Sequence, residues 1–318
     1  MERRRIGELD VSVVGLGCNN FGMRITADQT TDVVDAAIEA GIDYFDTAES
    51  YGGGRSEEFL GAAVAGRRHT VSIATKWGAT PSDDVKGPGT PEAMRAALEG
   101  SLKRLGTDYV DHYQLHRPDP KTPVSETLGA LAELKAEGKI REVGCSNFGA
   151  EQLVESSDVA TARGMDGFSS VQNHYSLLTT DPERNGVLDA CARHSIAFVP
   201  FFPLESGVLT GKYKAGEAPP EGTRLAAWGE RASRFMNDER MSQVAVLTEW
   251  ARQRDRTLLE LAISWLVSNE LVASVICGAT TPEQVRANVH AAGWAMSAQD
   301  RADLAAALQG SLQEGRAP

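Results

Sequence analysis

A single (β/α)8 barrel spanning residues 1–318, with a long loop after its seventh strand and an extra C-terminal helix, is the fold this sequence predicts. Three observations carry that reading. Strand-like apolar runs alternate with amphipathic stretches from about residue 12 to about residue 290, the pattern of a parallel sheet built from βαβ units. Four polar residues, Asp46, Tyr51, Lys76 and His116, fall at the ends of three consecutive runs, and the C-terminal strand ends of a barrel converge on one face. An open doubly wound sheet would want Gly-x-Gly-x-x-Gly after its first strand, and Gly15-Leu16-Gly17 lacks the third glycine.

The strands are expected at 12–17, 42–46, 71–76, 110–116, 142–146, 168–173, 197–202 and 273–277, each a short apolar run rich in β-branched or aromatic residues. Outer helices are expected between them, among others at 30–39, 56–64, 91–104, 124–136 and 282–291. Thr90-Pro91-Glu92 and Thr281-Pro282-Glu283 place a capping hydroxyl, a first-turn proline and an acid at the positive helix end. Gly41, Gly106 and Gly138 supply helix stops before the next strand. Two regions interrupt the alternation, a Gly/Pro-bearing loop from Trp77 to Gly89 and an insertion from Leu204 to about Met236. Long βα loops of barrels commonly grip ligands. After Trp294 a final helix with a polar, frayed end is expected.

The 318 residues suit one large barrel core, with 42% hydrophobic and 24% charged residues. A formal net charge of −12 opposes a phosphate-tracking surface, so nucleic acid and anionic membranes are poor partners. Cys18, Cys145, Cys191 and Cys277 are scattered through apolar runs without metal-site spacing, and they read as buried reduced thiols. Arg3-Arg4 is followed by no export-type apolar stretch, and no run approaches a membrane span, so a cytoplasmic protein is expected.

Singly, each of the four polar residues has a structural explanation: Asp46 as a cap, Tyr51 as a core plug, Lys76 as a snorkelling chain, His116 as a partner for a carbonyl. Together they meet the needs of carbonyl reduction, which requires a proton donor aimed at the oxygen where charge develops. A phenol, with an ordinary pKa of about 10, is a weak acid at neutral pH. An adjacent ammonium favours the phenolate, and a carboxylate keeps that ammonium charged and oriented. Asp46, Lys76 and Tyr51 can form this relay, and His116 can donate a second hydrogen bond to the same oxygen. A metal-dependent hydrolase using Asp46, Asp111, His112 and His116 fits less well, because His112 and His116 on one strand lie about 13 Å apart. Cys18 and Cys145 lack an evident partner histidine for nucleophilic chemistry.

The segments Gly41-Ile42-Asp43-Tyr44-Phe45-Asp46-Thr47-Ala48-Glu49-Ser50-Tyr51-Gly52, Ala74-Thr75-Lys76, Leu102 to Asp111, His116-Arg117-Pro118 and Gly144-Cys145-Ser146-Asn147-Phe148 resemble the aldo-keto reductases, over nearly the whole chain. The resemblance implies a TIM barrel, an NADPH or NADH cofactor extended across the C-terminal face, metal-free reduction of aldehydes or ketones, and Tyr51 as general acid. It further implies that Ser146, Asn147 and Gln172 clasp the nicotinamide carboxamide and that Phe201 stacks on the ring. The family's usual serine is replaced by Phe202. The segment from Leu204 through Gly207, Leu209, Gly211 and Lys212 resembles the loop over the pyrophosphate. Gly278, Thr280, Gln284 and Asn288 are assigned to the adenosine end, where a helix N-terminus favours phosphate, and Asn19 to the cofactor site. The basic residue that many relatives carry near Gly278 or Thr280 is absent, so NADPH is preferred on family grounds with NADH a live alternative. Asn20, Trp77, Arg224 and Trp228 are the candidate substrate-pocket residues, and the partner is a small carbonyl or alcohol. A cofactor-binding redox sensor or accessory protein on the same fold is the alternative function.

Overall fold

The computed structural model describes residues 1–79 and 87–314. Of the loop expected from Trp77 to Gly89, residues 80–86 lie outside the described residues, as does the tail at 315–318. Eight parallel strands form a nearly closed barrel: β3 (Val14–Gly17), β4 (Tyr44–Asp46), β5 (Ser72–Trp77), β6 (Val110–Leu115), β7 (Ile140–Ser146), β8 (Ser170–His174), β9 (Ala197–Phe201) and β10 (Val275–Gly278). Hydrogen-bonded neighbours run in the order β10-β3-β4-β5-β6-β7-β8-β9. The seam between β9 and β10 is drawn together below the end of β10, where Phe198 N donates to Leu271 O and Ala273 N to Phe198 O, both at 2.8 Å.

Ahead of the barrel, β1 (Arg3–Ile6) and β2 (Leu9–Ser12) make an antiparallel hairpin that the sequence reading missed, merging the end of β2 with β3. Its Ile6, Leu9 and Val11 are buried with Tyr44, Ala74, Val199, Ala273 and Ile276, so the hairpin plugs the N-terminal end of the barrel. The arginines that hid this strand have partners. Arg4 donates to the carbonyls of Val267, Asn269 and Val272, and Arg3 pairs with Asp10 and Asp43.

The helical layer comprises α1 (Ala27–Glu39), α2 (Arg55–Ala63), α3 (Pro91–Leu105), α4 (Val124–Ala136), α5 (Ala150–Arg163), α6 (Val187–His194), the short α7 (Arg224–Trp228), α8 (Asp238–Arg252), α9 (Leu258–Val267), α10 (Pro282–Ala291) and α11 (Ala298–Glu314). Thr90 and Thr281 cap α3 and α10 with proline in the first turn, and Gly106 ends α3 in the left-handed region at φ 63°. Helix α1 starts earlier than its apolar periodicity suggests, because Thr26 and Gln29 form a reciprocal capping box. Helix α11 is pinned by Leu304, which is buried, and by Arg301, which donates to Trp265 O and Ser268 Oγ. All four cysteines are free and buried. Among the described residues no helix is long and apolar enough to cross a membrane.

Side chains alternate along each strand, and this decides what reaches the barrel axis. On β6, His112 and Gln114 face inward while Asp111 and Tyr113 face the helices, where Asp111 binds Arg68 and Arg141, and Tyr113 donates to Met94 O. Inside, His112 Nδ1 lies 2.7 Å from the Tyr44 hydroxyl and Nε2 lies 3.0 Å from Ser170 Oγ. A Cβ on Gly144 would stand 2.4 Å from that Nε2, so only glycine leaves room for the ring. Burial, with help from the Lys76 charge, lowers the His112 pKa to about 3 and keeps the ring neutral.

Candidate active site

Asp46 is the last residue of β4 and Lys76 the penultimate residue of β5, while His116 directly follows β6. Tyr51 does not end a strand. It opens a 3-10 turn (Tyr51–Gly54) five residues beyond β4, a turn permitted by Gly52 at φ 62° and Gly53 at φ 67°.

The four side chains nonetheless converge. Lys76 Nζ, fully buried, donates to both Asp46 carboxylate oxygens at 2.7 Å and to Thr47 O at 2.9 Å. It also lies 5.2 Å from the centroid of the Tyr51 ring. The Tyr51 and His116 rings meet edge to face at 5.9 Å. Asp46 Oδ1 also accepts from Gln172 Nε2 at 2.9 Å and Gln114 Nε2 at 3.3 Å, which fixes the carboxylate. Gln114 escaped the sequence reading because it lies inside a strand, one inward position before His116.

Burial pushes the Tyr51 phenol up, and the nearby Lys76 charge opposes that shift without cancelling it, so the net direction is upward. The expected acidification is therefore present only as a partial offset, and the phenol keeps its proton at neutral pH. For Lys76, burial pulls the ammonium down, but Asp46 and Tyr51 outweigh it and the pKa is raised. His116 is lowered to about 3 by burial and by the charges of Lys76 and Arg117, so its ring is neutral. Cys18, beside this group, is pushed well up by burial, which argues against nucleophilic chemistry.

A cavity of about 790 Å³ opens over Tyr51 and His116 and runs across the C-terminal face to β10 and α10. Its wall includes Asn19, Asn20, Asp46, Ser146, Asn147, Gln172, Phe201, Leu204, Gly207, Lys212, Arg224, Gly278, Thr280, Gln284 and Asn288, all expected from the sequence. Arg24, Arg117 and Phe202 line it as well, and neither Arg24 nor Arg117 was assigned a role. Ser146 Oγ donates to Gln172 O, and Asn147 Nδ2 donates to His116 O and Ser146 Oγ, so the expected clasp residues are held to one another. Gln284 Oε1 accepts from Thr280 N and Oγ1 at the N-terminus of α10. Arg224 reaches from α7 to Asn19 Oδ1 and Asn20 Oδ1, joining the insertion to the end of β3.

Besides the fully buried Lys76, four expected residues are not on the cavity wall. Trp77 is buried against Tyr113 at 4.3 Å and donates to Pro88 O, because the residue after an inward Lys76 must face the helices. Leu209 turns into the core from the 3-10 segment Glu205–Thr210, and Gly211 is the exposed cap of that segment at φ 82°. Trp228 packs on Phe235 at 5.3 Å, beyond the cavity edge.

The segment carrying Leu204 and Gly207 has an uncommon backbone. Phe202, Glu205 and Ser206 adopt φ of 52°, 47° and 58°, each costing roughly 1–2 kcal/mol for a residue with a side chain. Gly207 follows at φ 97°, and a Cβ there would meet Lys212 Cε and Nζ at 2.8 Å, so glycine lets the Lys212 ammonium lie across the turn.

Among the described residues no group of three or more His, Cys, Asp and Glu is arranged to hold a metal ion. His112 and Asp111 are committed elsewhere, which removes the ligand set a barrel hydrolase would need. A second concavity of about 700 Å³ lies at the turns near residues 66–69 and 106–109, but its Arg68 is already bound to Asp111 and to the carbonyls of Val71 and Tyr109.

Known proteins share this architecture. The chain is 34% identical over 300 residues to a rice (Oryza sativa subsp. japonica) protein described as a probable voltage-gated potassium channel subunit beta, covering 92% of this chain and 91% of that one. It is 32% identical over 321 residues to aldo-keto reductase YhdN of Bacillus subtilis (strain 168), covering 98% and 94%, and 31% identical over 308 residues to L-glyceraldehyde 3-phosphate reductase of Escherichia coli (strain K12), covering 92% and 87%. The solved structure of glycerol dehydrogenase AKR11B4 from Gluconobacter oxydans superposes with a TM-score of 0.82 at 26% identity, covering 98% of this chain and 96% of that one. The family profile described as the Aldo/keto reductase family matches residues 13–309, and the chain belongs to that family.

Proposed function

We propose that the protein reduces an aldehyde or ketone to an alcohol with NADPH or NADH, reversibly, with Tyr51 as general acid. The observation that carries this reading is the convergence of the Tyr51 phenol, the neutral His116 ring and the buried Lys76–Asp46 pair at one end of a long cavity. A nicotinamide bound there would supply the hydride to the carbonyl carbon. The Tyr51 hydroxyl gives its proton to the carbonyl oxygen, and the phenolate left behind is stabilised by the Lys76 ammonium, which is held by Asp46, itself fixed by Gln114 and Gln172. His116 donates a hydrogen bond to the same oxygen and cannot compete as an acid, since its pKa lies at about 3.

The cavity suits a phosphate-bearing dinucleotide. Arg24, Arg117, Lys212 and Arg224 line it, whereas its carboxylates are Asp46, already neutralised by Lys76, and Glu221. In a chain of net charge −12 that concentration of cations favours an anionic ligand. Ser146, Asn147, Gln172 and Phe201 would hold the nicotinamide end, Lys212 and the turn from Leu204 the pyrophosphate, and Gly278, Thr280, Gln284 and Asn288 the adenosine. NADPH is the first choice on family grounds, with NADH the alternative. A cytoplasmic location and small-molecule carbonyl substrates accord with this reading.

The relatives described as channel beta subunits support a second reading, a cofactor-binding sensor or accessory protein. One experiment separates the two. NADPH oxidation is followed across an aldehyde and ketone panel for the protein and for Tyr51→Phe, alongside cofactor binding. Turnover that falls about 10²–10⁴-fold in Tyr51→Phe with binding intact is the expected result. Cofactor binding without turnover on any carbonyl would sink the enzyme reading and favour the sensor.

A further inference from the structure

Glu205 is a fully buried carboxylate that the chemistry above does not use. Its Oε1 accepts from His174 Nε2 and Thr179 Oγ1, both at 2.8 Å, and from Ser176 Oγ. Its Oε2 lies 2.5 Å from Arg240 Nη2 in an ion pair without hydrogen-bond geometry. Three pieces of chain meet at this one side chain: the end of β8 and the turn after it, the left-handed turn at 202–207, and the first turn of α8. His174 stacks on Phe201 at 5.5 Å and meets Phe202 edge to face at 5.7 Å, both of which line the cavity.

The placement along the chain gives this cluster its meaning. Glu205 stands at the start of the segment that crosses the cavity with Lys212 and Arg224, and Arg240 stands just past its end. The segment therefore leaves and rejoins the barrel at a single ion pair. Conformations as unfavourable as those of Phe202, Glu205 and Ser206 persist only where surrounding contacts over-determine them.

Resting on the cofactor reading above, we infer that Glu205 and Arg240 are a positioning pair. Their contact ties the two ends of the 206–236 strap together, holding the turn and Lys212 in the geometry that grips the dinucleotide. Neither residue lines the cavity, so their effect reaches the ligand through the strap. Burial raises the Glu205 pKa, and the hydrogen bonds from His174 and Ser176 with the Arg240 charge reverse that shift to a net lowering, consistent with a carboxylate kept ionised for this contact.

The test uses Glu205→Gln, which keeps the shape and the Oε1 acceptor but removes the charge, together with Arg240→Met, the double variant and Arg240→Lys. Three quantities are read: the NADPH dissociation constant from tryptophan fluorescence, kcat at saturating NADPH, and amide hydrogen exchange over residues 206–236 without cofactor. Each single variant is expected to weaken NADPH binding by about 10-fold with kcat within about 2-fold, and the double variant to be no worse than the singles. Exchange in the strap should accelerate in both, and Arg240→Lys should restore most of the affinity. Unchanged exchange, additive losses in the double variant, or NADPH affinity within about 2-fold of the parent in both singles overturns the inference. If the parent binds neither NADPH nor NADH, the functional reading fails instead, and the exchange measurement still decides the role of the pair.

Discussion

Replacing Lys76 by Met should expose the energetic cost that the active-site pair conceals. Asp46 is 3% exposed, and after the substitution its carboxylate would retain the amides of Gln114 and Gln172 but no cation. Removing one member of a buried ion pair costs about 3–5 kcal/mol, because the other charge stays desolvated. At this chain length that corresponds to roughly 4–8 °C in Tm. Lys76→Met/Asp46→Asn removes the stranded charge while leaving an acceptor for the two glutamines, so it should regain at least half of the loss, about 1.5–2.5 kcal/mol, and cost less than the sum of the two singles. Urea unfolding of the two single variants and the double variant measures it. A Lys76→Met loss below about 1 kcal/mol, or strictly additive behaviour in the double variant, would refute the reasoning that Asp46 depends on Lys76.

Two further outcomes follow from the burial pattern. His112 and His116 both have folded-state pKa values lowered to about 3 against an ordinary 6.5, so the unfolded chain binds more protons between those values. Their contribution to stability is complete above pH 6.5 and declines as pH falls towards 3, and urea midpoints across that range should drop. A His112→Asn variant should show a shallower decline, and an equal slope would contradict the buried-neutral assignment. Trp77→Ala should cost about 3–5 kcal/mol by emptying the contact with Tyr113, while NADPH affinity in the folded fraction stays within about 2-fold. A changed affinity at full stability would return Trp77 to the cavity.

The barrel strands were readable because a parallel strand covered on both sides is a near-continuous apolar run, and such runs stood out at all eight positions. Asp46, Lys76 and His116 were readable for the converse reason, as titratable groups closing those runs. The N-terminal hairpin was not, since Arg3-Arg4-Arg5 masks a four-residue strand whose central Arg4 is satisfied by carbonyls more than 260 residues away. Trp77 could have been placed from period two alone, given that Lys76 points inward. Leu209 and Trp228 could not, because their directions depend on the short 3-10 segment Glu205–Thr210 and on the short helix α7 of the insertion. The Glu205 cluster joins residues separated by 26 to 35 positions along the chain, with no local pattern to announce it.

The barrel axis is filled with hydrogen-bonded polar groups: Tyr44, His112 and Ser170 below, and Asp46, Gln114 and Gln172 above. Such a column behaves as a rigid keel, and altering one member leaves another buried without its partner. Redesign for a new substrate would therefore do best at the exposed rim, around Arg117, where a changed side chain can be rehydrated and the keel is left alone.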